Sequence, residues 1–186
     1  MSEFATAVYS SSKPLVPAKQ YHPILRYLHW VSAAVIIWAT ISGFYAGTLP
    51  DGELRASIGG FNVALTACFV PVFLTRIAVR IAAPDPEPIP GGRKLQKIAE
   101  FAHVSLYAAT LVVLVTGVLA VDHEADIFGF AVLQPIGMSE AARDAANLIH
   151  SLSCYGLALM VILHIAAVIF HRLQGRQLLH RMQVWP

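Results

Sequence analysis

Charge is scarce in this chain. Only 13% of its 186 residues are Asp, Glu, Lys or Arg, while 56% are hydrophobic. An ordinary soluble domain carries about 25% charged residues and roughly 45–50% apolar ones, so a water-exposed globule is disfavoured. Cysteine is scarce too. Cys68 and Cys154 are the two present, and both fall in apolar stretches, where a thiol packs as a small hydrophobe. There is no disulfide framework and no thiolate metal motif. No internal repeat is present, and no nucleic-acid partner is expected.

The little charge there is avoids four long runs: Tyr27 to Pro50, Ala56 to Thr75, Phe101 to Val121 and Ala145 to His171. About 20 apolar residues at 1.5 Å rise cross a hydrocarbon core of about 30 Å, so each run is long enough to span a bilayer. The expected fold is all-α, an integral membrane four-helix bundle with spans at about 24–48, 57–82, 98–121 and 145–172. Residues 21–186 form its single domain. Residues 1–20 lack the basic-then-apolar order of a cleaved signal peptide and read as a polar cytoplasmic tail, leaving the first span to direct insertion.

Eleven of the Lys and Arg residues lie before the first span, between spans two and three, or after span four; only Arg55 and Arg143 lie in the other two connections. The positive-inside rule then puts both termini in the cytoplasm. The outer connections are correspondingly acidic, with Asp51, Glu53, Asp122, Glu124, Asp126, Glu140 and Asp144. The short LPDGEL connection makes spans one and two antiparallel neighbours, and APDPEPIPGG reads as an extended linker after span two. Pro71 predicts a kink in span two. The apolar stretch DIFGFAVLQPIGM, broken by Gly and Pro, is expected to lie along the outer interface or to cap the bundle.

Eight histidines in so apolar a chain demand an explanation. Four lie in or at the edges of the charge-free runs: His29, His103, His150 and His164. Imidazoles in lipid face the bundle interior, where they mark functional sites. His150 and His164 are 14 residues apart. At 100° per residue that returns to within about 40° of the same face, about 21 Å along the axis. One face of span four thus offers an imidazole near each membrane surface, an arrangement suited to two stacked haems in a bundle. On span one, His29 lies at the same cytoplasmic level as His164 and pairs with it as an axial ligand; the competing reading is an interfacial histidine in an aromatic belt with Tyr27 and Trp30.

RYLHW opens span one and LTRIAVR closes span two. AHVSLY opens span three, LIHSLSCYGLALMVILHIAAVIFH forms span four, and LLHRM follows near the end. On these residues the chain resembles the bacterial cytochrome b561 family, small four-helix quinone-linked cytochromes of the bacterial inner membrane that include superoxide oxidase. The resemblance implies one haem b held by His29 and His164, and a second haem b nearer the outside held in part by His150. Its other ligand position, counted back from Arg76, falls on Asn62, and span two has no histidine. An amide is a poor axial ligand beside imidazole. Three arrangements follow: a five-coordinate outer haem on His150, a sixth ligand from a loop group such as His123 or Met138, or no outer haem.

The resemblance also places His103 near the inner haem or quinone and matches Arg76 to a propionate partner. Arg80 reads as a membrane anchor. His171, one heptad beyond His164, is the runner-up ligand. The cluster Asp122, His123, Glu124 and Asp126 has no standard ligand spacing and reads as a solvated loop. The function implied is single-electron transfer between an outer-face donor and the quinone pool, with ubiquinone as substrate and superoxide oxidation as the enzymatic form. Net acidic outer loops repel an anion and favour a protein donor. The rival is an accessory subunit, monohaem or haem-poor, of a larger respiratory or dehydrogenase complex. A proton-relay transporter is weaker, because no acidic residue lies within the charge-free runs.

Overall fold

The computed structural model describes residues 19–83, 92–176 and 178–184. The tail through residue 18 and the Pro-rich linker over 84–91 lie outside the described residues. The described chain forms α1 (Pro23–Thr48), α2 (Glu53–Ala82), α3 (Gly92–Ala120), β1 (Ala125–Ile127), β2 (Ala131–Leu133), α4 (Glu140–Leu173) and α5 (Leu178–Met182).

The helices begin and end where local chemistry directs. Pro23 opens α1, where its missing N–H costs nothing. Ser139 caps α4, its hydroxyl accepting from the Ala142 N–H at 3.3 Å. Glu140 in the first turn and His171 and Arg172 in the last complement the α4 dipole. Gly175, at φ 78°, then takes the left-handed conformation that ends the helix. Three helices start earlier than the apolar runs suggest: at Glu53, Gly92 and Glu140 rather than near 57, 98 and 145. Their first turns carry charge, so hydropathy marks the hydrocarbon crossing and not the helix itself. α2 runs through Pro71 as one helix, and the Thr75 hydroxyl donates to the Pro71 carbonyl at 2.8 Å.

α1 packs chiefly on α2 and α3 chiefly on α4, while α2 and α3 touch more lightly. Phe69 and Phe73 of α2 and Leu114 of α3 form the centre, with Val35, Ile36 and Tyr107 around them. Beside it the α2–α3 seam opens a wholly apolar crevice of about 310 Å³ along Phe73, Leu74, Leu111 and Val115. Only 6 to 17% of each span's most apolar window is buried within the protein. Side chains such as Ile41, Leu74, Leu152 and Leu163 stand exposed, and lipid is the solvent that suits them.

The connection between α3 and α4 holds a short hairpin within otherwise irregular chain. β1 and β2 pair antiparallel with Ala125 opposite Leu133 and Ile127 opposite Ala131. Phe128, Gly129 and Phe130 make the turn, with Phe128 (φ 51°) and Gly129 (φ 76°) both in the left-handed region. Asp126 accepts from the Gly129 N–H at 3.0 Å. The hairpin lies on α2, with Phe128 edge-on to Phe61 at 5.5 Å, so it caps one end of the bundle.

At the opposite end α5 folds back onto the start of α1. The Tyr21 N–H donates to the Arg181 carbonyl (3.1 Å), Gln20 to the His180 carbonyl (3.1 Å) and the Trp30 indole to the Met182 carbonyl (2.8 Å). Arg26 reaches both Gln20 and the Gln183 carbonyl. Arg80, near the end of α2, lies over the Tyr21 ring at 6.0 Å.

Candidate functional site

Near the α5 end, all four long helices contribute a polar side chain at one level. His29 sits two turns into α1 and Arg76 two turns before the end of α2. The Arg76 guanidinium donates from Nη2 to His29 Nδ1 at 3.0 Å. A guanidinium has no acceptor, so Nδ1 offers its lone pair and the neutral ring carries its proton on Nε2. The face of Arg76 lies over the Tyr107 ring of α3, 5.1 Å from its centroid. One turn before Tyr107, His103 meets His164 of α4 edge-on, ring centroids 5.7 Å apart. His29 is within electrostatic range of His103 and His164, and Trp30 stands edge-on to it at 5.6 Å.

The expected pair, His29 and His164, is therefore brought to one neighbourhood, but each ring has a nearer partner: Arg76 for the first and His103 for the second. His171 lies further along α4, its ring against Phe170 at 5.8 Å and its Nδ1 buried without a partner. Tyr107 and Trp30 complete the surroundings. The signal for Tyr107 was its spacing, four residues after His103 on one helix face.

At the hairpin end, His150 faces α3. Its Nδ1 lies 3.1 Å from the Val113 carbonyl and 3.2 Å from the Thr116 hydroxyl. Donation to a backbone carbonyl fixes the Nδ1–H tautomer and leaves Nε2 as the ring's acceptor, the usual second-shell arrangement of a metal-binding histidine. Nε2 looks toward the Cys154 thiol at 3.5 Å. Gly117 makes room for this ring, since a Cβ there would lie 3.0 Å from His150 Cε1. Asn62 donates from Nδ2 to the Ala39 carbonyl at 3.2 Å, and its Oδ1 is buried without a partner.

The loop groups stand apart. His123 is exposed and pairs with its neighbour Asp122, whose carboxyl that hydrogen bond holds below the ordinary aspartate range. Asp126 is committed to the hairpin turn. Among the described residues, no group of three or more His, Cys, Asp or Glu side chains converges as a metal-ion site.

The donor set at the α5 end fits the haem that the resemblance implies. It offers imidazoles from α1, α3 and α4 that could serve as iron donors. Arg76 Nε is buried without a partner, a charged donor suited to a propionate. The hairpin end offers one oriented imidazole and an amide oxygen. Residues 20–183 match the family model described as prokaryotic cytochrome b561. No curated protein matches the chain.

Proposed function

This chain belongs to the prokaryotic cytochrome b561 family, and from that premise we propose that it passes single electrons between a donor at the hairpin end and quinone near the α5 end. Membership makes it a multi-pass membrane protein that binds b-type haem and transfers electrons. The observation that carries the finer reading is the meeting of His29, Arg76, His103 and His164, one from each spanning helix.

Bound haem b supplies the one-electron couple; the chain supplies ligands, orientation and dielectric. His29 and His164 would hold the inner haem. With its Nδ1 bonded to Arg76, His29 would hold the haem through Nε2 only as the Nδ1–H tautomer, and Arg76, whose Nε is buried without a partner, would then be available to a propionate. His103 is the polar neighbour for a propionate or for a quinone oxygen, with ubiquinone as the substrate. His150 would hold an outer haem through Nε2, and Asn62, at the second-span position of the other ligand, would be a poor second donor to it. The termini are cytoplasmic in this reading, because eleven of the thirteen cations lie, along the sequence, before or at the start of span one, between spans two and three or after span four.

The electron donor is a protein rather than superoxide. Asp51, Glu53, Asp122, Glu124, Asp126, Glu140 and Asp144 all lie toward the hairpin end and repel an anion. In proteoliposomes holding ubiquinone, the account expects slow superoxide-driven quinone reduction and fast reduction by a suitable protein donor. Rapid turnover with superoxide would overturn the donor assignment.

A second reading, an accessory subunit of a larger respiratory or dehydrogenase complex, is favoured by the hairpin. Phe130 is 88% exposed and Val132 52%, apolar surface at the end where a partner would dock. Purification from native membranes in mild detergent separates the readings: a subunit migrates with a large complex, a free-standing cytochrome by itself.

A further inference from the structure

The last turn of α4, the bend after it and α5 border a second, half-open cavity, apart from the histidine cluster. It measures about 320 Å³ and is lined by Arg172, Gly175, Arg176, Leu179, His180 and Gln183, at the small end of the roughly 300–1,000 Å³ of ligand pockets. Three of its six lining residues are basic, and none is acidic. Neither Arg172 nor Arg176 forms an ion pair with a carboxylate among the described residues. Gly175 makes the bend possible by its positive φ, and the Arg176 N–H donates back to the His171 carbonyl at 3.0 Å, so the two arginines are held on either side of a fixed turn.

The surroundings state what kind of anion belongs there. On the same last turns of α4, Phe170 is 57% and Leu173 82% exposed, so apolar side chains face lipid directly beside the cations. Arg93, Lys94 and Lys97 begin α3 at this same end, adding positive potential. A basic pocket at the rim of a membrane bundle, with an apolar flank beneath it, matches a phosphate group that carries acyl chains. We propose that this cavity binds the headgroup of an anionic phospholipid, its phosphodiester between Arg172 and Arg176 and its chains along Phe170 and Leu173.

The test uses the haem-loaded protein in detergent and native mass spectrometry with phosphatidylglycerol or phosphatidylcholine as probe. Wild type is expected to retain phosphatidylglycerol at least about tenfold better. R172Q/R176Q loses that preference with its haem spectrum unchanged. R93Q/K94Q, which removes the same charge from the same end outside the cavity, keeps it. Equal retention of the two lipids, or equal loss in both double variants, overturns the site. Displacement of phosphatidylglycerol by millimolar inorganic phosphate would make the ligand a free phosphate and overturn the lipid assignment.

Discussion

At the residue scale the chemistry rests on a few side chains whose partners are now explicit. Arg76 holds His29 Nδ1 at 3.0 Å and keeps a buried Nε without a partner. A hydrogen bond to a charged group contributes about 1.5–3 kcal/mol, so R76Q is expected to lower haem affinity by about tenfold or more. Titration of the apoprotein with haemin checks this, and an unchanged affinity would remove Arg76 from the site. The histidines were legible because ionisable residues in apolar runs are conspicuous, and Arg76 because it ends such a run. Trp30 was legible only as a belt residue; its bond to the Met182 carbonyl involves a main-chain group, on which side-chain identity is silent. Gly117 gave no signal at all. Its meaning lies in the imidazole packed against it from a distant helix.

At the element scale, the pairing of α3 with α4 depends on that glycine. A Cβ at position 117 would meet His150 Cε1 at 3.0 Å, whereas one at Gly156 on α4 would meet nothing within 4 Å. Overpacking costs about 1–3 kcal/mol, more than the roughly 0.5–1 kcal/mol by which alanine improves on glycine in a helix. G117A is therefore expected to lower the thermal midpoint of the solubilised protein and G156A to leave it equal or higher. Equal midpoints would mean that His150 yields without cost. The four spans were readable from charge-free length, but two elements were not. The hairpin at Ala125–Leu133 depends on positive φ at Phe128 as well as Gly129, an unusual demand on an aromatic residue. α5 is five residues long, too short for periodicity to register, and main-chain bonds to residues at the start of α1 hold it there.

At the scale of the whole molecule, the bundle has a basic end and an acidic end. Tyr21, Arg26 and Arg80 meet α5 or each other at the first, and the hairpin caps the second. Reporter fusions at the two termini are expected to be active only in their cytoplasmic forms; a periplasmic signal from either would reverse the orientation. Pattern in the chain foretold four helices long and apolar enough to cross a membrane. Helix rise suggested one level for His29 and His164, and the resemblance set Arg76 and His103 near it, but the particular contacts, Arg76 on His29 and His103 on His164, depend on how α2 and α3 rotate against their neighbours. The central claim is that His29 and His164 together hold one b-type haem across α1 and α4. Haem per chain, measured by pyridine haemochrome absorbance in H29A and H164A, tests it most directly: each variant should lose one and the same low-spin centre relative to wild type. Retention of that centre in either variant would contradict the pairing.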